Sequence, residues 1–239
     1  MSDLGSTSEL ADLAARARAF DGHPPFSDGA LAELATGARQ LVWAGPAAAI
    51  YSATEAEFVV APDFRRQGNG GRMLNLLLTQ APGDLYLWAH GGHPDARALA
   101  ASRGLEPVRE LLQLRRPSNA KRGAKPGAGE VSIRASRYST SGGRDSRYST
   151  REARVSRYSS GDADAFLALN ARAFASHPEQ GRLSRAEFDV LTAEPWFDPD
   201  DFLLLWEGDT LVGFCWLKVE GDLGEFYVVG VDPARQGQG

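Results

Sequence analysis

The 239-residue chain has one cysteine, Cys215. It cannot form an internal disulfide, which fits a reducing compartment and predicts a cytoplasmic protein. Long apolar runs are missing too. No stretch approaches the roughly 18–20 residues that span a bilayer, so no membrane partner is expected. Residues 1–25 are polar and helix-forming without an apolar core, and do not read as a secretory signal. Histidine is scarce. His23, His90, His93 and His177 have no metal-ligand spacing, and no metal is expected. A hydrophobic share of 43% excludes disorder throughout.

Net charge is small, at −5, but unevenly placed. Residues 115–160 hold twelve Lys/Arg and three Asp/Glu, a balance of +9 that leaves −14 on the rest. This basic stretch lacks apolar periodicity and reads as a linker. Inside it Ser136-Arg137-Tyr138-Ser139-Thr140 recurs at 146–150 and, with a final Ser, at 156–160. Three polar copies are too few for a solenoid with its own core. One reading is a lengthened, disordered tether. The other is an anion or RNA contact, with Arg neutralising phosphate and Tyr stacking. The acidic remainder argues against the second, so no nucleic-acid partner is expected. The third copy is expected to supply the first strand of the second half.

The first half reads as mixed α/β. Ser6 and Glu9 suit a capping box, and a second helix should follow Ser27. Strands are expected at 40–44, 48–53 and 57–61, then a helix at 70–80. Its Leu74, Leu77, Leu78 and Ala81 fall at i, i+3, i+4 and i+7, one buried stripe. A strand at 85–89, a helix opened by His93-Pro94 and closed by Gly104, and a strand at 108–114 complete it. The second half begins again: a strand near Val155, a helix at 162–175, a helix capped by Ser184 and Glu187, then strands at 202–206, 211–219 and 224–231.

Chemistry concentrates where strand gives way to helix. Pro62-Asp63-Phe64-Arg65-Arg66-Gln67-Gly68-Asn69-Gly70-Gly71 follows the third strand. Glycines let successive N–H groups approach one anion, and a helix N-terminus adds its dipole. Alone, such a string also describes an ordinary glycine-rich turn. The same grammar returns in Val231-Asp232-Pro233-Ala234-Arg235-Gln236-Gly237-Gln238-Gly239. Aligning Val60-x-Pro62 with Val231-x-Pro233 pairs Arg65 with Gln236 and Gly68 with Gly239. Each copy follows three strands, which marks an internal duplication.

Arg/Gln-x-x-Gly-x-Gly/Ala is the pyrophosphate-binding signature of the GCN5-related N-acetyltransferases, and the chain resembles a tandem pair of them. Within that group it is similar to the mycothiol synthase family. The strings that carry the likeness are Leu87-Trp88-Ala89-His90-Gly91, the run at 109–117, His177-Pro178-Glu179-Gln180-Gly181, Glu194-Pro195-Trp196-Phe197-Asp198-Pro199 and the run at 223–233. The resemblance implies an α/β fold class with mixed sheets: a complete acyl-CoA N-acyltransferase domain at 1–117, the linker at 118–153, and a partial second domain at 154–239. It implies a monomer that uses acetyl-CoA as cosubstrate to acetylate the cysteinyl amine of cysteine-glucosamine-inositol. The alternatives are a CoA-binding inactive scaffold and an acetyltransferase for another small amine.

The resemblance also assigns residues. Val229, Gly230 and Val231 lie beside the thioester arm, with Gln236, Gly237, Gln238 and Gly239 beginning the phosphate nest. The first-half counterparts are Phe58, Val59 and Val60, then Arg66, Gln67, Gly68, Asn69, Gly70 and Gly71, a site able to hold CoA but not the place of transfer. Glu225 is the matching base for an amine that is mostly protonated near neutral pH; by itself it reads as a solvent-facing strand carboxylate. A backbone N–H at a strand bulge near Val229 is the expected oxyanion donor. Asp28, Glu179 and Lys218 match substrate contacts, and each also reads as an ordinary helix-start, loop or edge-strand residue. Cys215 and Leu217 depart from the family's residues around Trp216-x-Lys218. The family's tyrosine acid has no counterpart before Gly239. This leads to the expectation of a C-terminally truncated form that transfers acetyl slowly or not at all and leaves its last strand as an open edge.

Overall fold

A computed structural model describes residues 6–111, 131–132, 153–177, 180–221 and 223–237. The chain divides into two units, Met1–Arg116 and Pro117–Gly239.

In the first unit, helix α1 (Thr7–Asp21) starts at the expected capping box, with Ser6 and Glu9 each bonding the other's backbone N–H, and stops at Gly22. Helix α2 (Asp28–Ala35) is capped by Ser27. Strands β1 (Gln40–Ala44), β2 (Ala47–Tyr51) and β3 (Glu55–Val60) form an antiparallel meander, and β4 (Tyr86–Trp88) joins β3 in parallel. Helix α3 (Asn69–Gln80) makes the crossover, and α4 (Pro94–Ala101) follows β4.

Strand β2 is buried on both faces, and its composition explains how. Ala48 and Ile50 pack with Leu10, Leu13 and Ala17 of α1 and Ala30 of α2. Ala47 and Ala49 pack on the other side with Met73 and Leu77 of α3. Residues alternate across a strand, so a run of small apolar side chains lets helices close on both faces.

Two expectations fail here. The buried face of α3 is Met73, Leu74 and Leu77, while Leu78 is 40% exposed. Only one side of the expected leucine stripe meets the sheet, and Met73 takes the place given to Leu78. The strand expected at 108–114 does not form within the described residues 108–111, where Val108 and Leu111 are exposed; residues 112–114 lie outside them.

The second unit has one antiparallel sheet in the order β5 (Val131–Ser132), β6 (Ala153–Arg157), β7 (Phe202–Glu207), β8 (Thr210–Glu220) and β9 (Leu223–Val231). Strand β5 belongs to the stretch read as linker. The first two repeat copies lie outside the described residues. The third becomes the end of β6 and the turn into α5 (Ala163–Ala173), and its Tyr158 ring stacks on Phe202 at 5.0 Å. Helix α6 (Arg185–Thr192) carries the expected Ser184/Glu187 capping box. Phe166 of α5 and Phe188 of α6 meet Phe202, Phe214 and Trp216 of the sheet. Phe202 and Trp216 are stacked 4.8 Å apart. Aromatic area of this size dominates a small core.

Candidate functional site

The two strand-to-turn junctions have matching geometry. After β3, Ala61 (φ −50°, ψ 133°) leads into a 3-10 turn at Pro62–Phe64, and Arg65 returns to extended backbone. After β9, Asp232 (φ −51°, ψ 127°) leads into Pro233–Arg235, and Gln236 is again extended. In each copy one side chain closes the junction. Arg65 Nε donates to the Val60 carbonyl at 3.1 Å, and Gln236 Nε2 donates to the Val231 carbonyl at 3.3 Å. The residue after it has positive φ in both, Arg66 at 60° and Gly237 at 74°. Proline presets the turn, and the long polar side chain satisfies the last strand carbonyl. The duplication read from the residues is therefore repeated in backbone conformation and in the bond that closes each turn.

In the first unit the junction opens into an anion-receptive helix start. Gly68, the residue before α3, has φ 81° and offers no side-chain cap to the first-turn N–H groups. Asn69, nearly buried, ties its Nδ2 to the Phe64 carbonyl at 2.8 Å and holds the turn against the helix. Gly70 packs closely: a Cβ there would sit 3.1 Å from Leu99 Cδ2. The charges divide differently from the sequence reading. Arg65 makes a two-pronged pair with Asp21 at 2.6 and 2.8 Å, and this holds the Asp21 carboxyl below its usual pKa. Its guanidinium thus braces the turn. Arg66, 77% exposed, pairs with Asp95. Arg72 bonds Asn69 Oδ1 at 3.2 Å, and Arg103 bonds Asn75 Oδ1 while lying over Gly71. Arg103 was not anticipated as a neighbour of the turn. Gln67 reaches back to the Asp63 carbonyl.

Strands β3 and β4 pair only over Glu55–Glu57 and Tyr86–Trp88. Beyond Glu57, Phe58, Val59 and Val60 keep their β2 partners and have no β4 partner. This stretch of β3 diverges from β4 and leads to the turn at Gly68.

In the second unit Val229 and Val231 are half exposed on β9, the last strand of its sheet, and Gly230 is buried between them. A Cβ on Gly230 would lie 2.5 Å from Phe214 Cζ, so the facing aromatic ring covers the space a side chain would fill. Arg172 and the Ala234 N–H both bond Asp232, and the backbone bond and the guanidinium lower its pKa. Gln238 and Gly239 lie outside the described residues, as does Glu179.

Glu225 and Lys218 face each other across the β8–β9 ladder. Glu225 is exposed on its strand. Lys218 Nζ sits 4.5 Å above the Trp196 ring and 5.9 Å above the Tyr227 ring. The ladder shifts between Trp216/Val228 and Leu217/Phe226, which makes Tyr227 the bulged residue. The bulge expected near Val229 is therefore two residues earlier. Asp28 is the first residue of α2, in the first unit. Cys215 is half buried, and burial raises its thiol pKa, which disfavours the reactive thiolate.

One cluster escaped the sequence reading. Glu57, 3% exposed, accepts from Ser27 N and Ser27 Oγ at 2.7 Å each, and His90 Nε2 lies 3.0 Å from the same carboxylate. The only signal was an acid at the start of an otherwise apolar run expected as strand. Among the described residues no group of three or more His, Cys, Asp or Glu is placed to hold a metal, and no helix is long and apolar enough to cross a membrane.

No protein-family model matches the chain. Among solved structures, a GCN5-related N-acetyltransferase from Sphaerobacter thermophilus aligns over 95% of this chain and 73% of its own, at 19% identity and a TM-score of 0.48. Curated relatives are much nearer in sequence. The mycothiol acetyltransferase of Clavibacter michiganensis subsp. michiganensis is 45% identical over 96% of this chain and 73% of its own length. That of Clavibacter sepedonicus is 44% identical over 95% and 73%, and that of Kineococcus radiotolerans 40% over 98% and 71%. Identity at this level, sustained over nearly the whole chain, shows that the chain belongs to the mycothiol acetyltransferase family.

Proposed function

We propose that the chain transfers the acetyl group of acetyl-CoA to the cysteinyl amine of cysteine-glucosamine-inositol, the last step of mycothiol biosynthesis. It acts on this small amine as a cytoplasmic monomer, without metal or nucleic acid. The observation that carries the reading is the β8–β9 constellation: Glu225 opposite Lys218, on a strand that runs through Val229–Val231 into the Gln236 turn.

In this reading the free edge of β9 pairs with the pantetheine arm, and the turn after Val231 receives the diphosphate. Glu225 takes the proton from the substrate ammonium, directly or through water, so that the nitrogen lone pair can attack the thioester carbon. A backbone N–H of the bulged segment donates to the carbonyl oxygen as negative charge grows there. The C–S bond breaks, the second proton leaving the nitrogen passes to the departing sulfur, and the products are the amide and the CoA thiol. Lys218 donates to acceptor hydroxyls.

The first unit holds CoA at Phe58–Val60 and Arg66–Gly71 but lacks the chemistry. Once the bulge at Tyr227 is discounted, Glu55 occupies the strand position of Glu225, and its carboxylate is paired with Arg39. Ser52 stands where Lys218 does, bonding Glu55 through backbone.

The test is acetyl transfer followed by release of free CoA thiol and by product mass. Glu225→Gln should lower the rate about 10²–10⁴-fold while leaving acetyl-CoA binding unchanged. A variant as fast as the parent protein would remove Glu225 from the reaction.

A further inference from the structure

The rings around Lys218 have no part in the chemistry above, yet two of them lie against its ammonium. Trp216 is 1% exposed and forms the floor. Trp196, from the segment after α6, packs on it at 5.7 Å, and Tyr227 packs on both tryptophans at 5.0 Å. The bulge accounts for Tyr227: Val228 pairs with Trp216 and Phe226 with Leu217, so the inserted residue turns its ring onto the Trp216 face. Lys218 and Glu225 share that end of the strand pair. Lys218 Nζ lies over the Trp196 ring, with Tyr227 as the second wall.

We infer that Trp196 and Tyr227 are positioning residues for Lys218, fixing its ammonium for the hydroxyls of the polyol acceptor and so setting acceptor affinity without affecting acetyl-CoA. The inference rests on the reading of Lys218 as an acceptor contact. Lysine is a flexible point charge with three donors, and alone it holds no fixed geometry. An indole face is the strongest of the aromatic partners for a cation. A rigid aromatic base thus replaces the rotamer search that a free lysine makes on every binding event.

Calorimetric titration of the full chain with cysteine-glucosamine-inositol, and separately with acetyl-CoA, tests this. Trp196→Leu should weaken acceptor binding about tenfold, within the range of a partly desolvated cation–π contact, and leave acetyl-CoA affinity unchanged. Trp196→Phe, which keeps a ring face, should recover most of the loss. Lys218→Met should weaken the acceptor at least as much, and Lys218→Met combined with Trp196→Leu should be no weaker than Lys218→Met alone. Losses that simply add, or a Trp196→Leu variant that binds acceptor like the parent, would overturn the positioning role while leaving Lys218 as a contact. If Lys218→Met itself binds acceptor like the parent, the Lys218 contact fails, and the positioning role with it.

Discussion

Glu57 carries a carboxylate where only 3% of its surface meets solvent. Burying an acid is costly unless its oxygens are satisfied. Here burial pushes the pKa up, but the His90 ring and the two Ser27 bonds outweigh it and leave the group below its ordinary value. An acid depressed in the folded state stabilises the fold above its unfolded pKa of about 4.3 and loses that contribution as pH falls through the lower folded value. Thermal unfolding of the parent and of Glu57→Gln should therefore differ most near neutral pH. The gap should close as pH drops below about 4. A constant gap across pH 3–7 would mean that the charge contributes nothing. The same carboxylate holds Ser27, whose Oγ also caps α2 by accepting from Ala30 N at 3.1 Å. A single acid thus fixes the start of the helix that carries Asp28. None of this was legible beforehand, because the partners are 30 and 33 residues away from Glu57 in sequence. Gly230 shows the reverse. The sequence likeness marks it as a cofactor position, and the structure adds a packing reason in the Phe214 ring.

Helix α3 separates what periodicity can and cannot say. The 3.6-residue pattern correctly places a helix between β3 and β4, and Leu74 and Leu77 are buried as expected. It cannot choose which flank of a leucine-rich face meets the sheet. Met73 is buried and Leu78 is not, because α3 packs against alanines of β2 and Val60 of β3 through Gly70. Leu74→Ala should cost about 2–5 kcal/mol; Leu78→Ala should stay within about 0.5 kcal/mol. Chemical denaturation of the two variants checks the assignment, and equal losses would contradict it. Capped helices were legible for a local reason: Ser6/Glu9, Ser27 and Ser184/Glu187 satisfy backbone donors within one turn. The segment at 108–111 misled for a non-local one. Its apolar residues suit a strand, but a strand requires a partner, and within the described residues none pairs with it. The β9 bulge is similarly non-local. It depends on register against β8, and only the ladder reveals that Tyr227 is the extra residue.

At the scale of the whole chain, two α/β units repeat one junction: strand, proline turn, a side chain bonded back to the strand's last carbonyl, then positive φ. This much was written in the residues, because proline and glycine dictate backbone locally. What distinguishes the units chemically was not. Glu225 faces Lys218 across its ladder, while the equivalent Glu55 is paired with Arg39. The third Ser-Arg-Tyr copy supplies strand residues as expected, and the structure adds that Tyr158 joins the aromatic core. The most direct test of the account is amide hydrogen exchange on the full chain with and without acetyl-CoA. It predicts saturable protection confined to 58–60 and 66–71 in the first unit and to 229–231 and 236–237 in the second. Protection elsewhere with these segments unchanged, or no change at saturating acetyl-CoA, would contradict it.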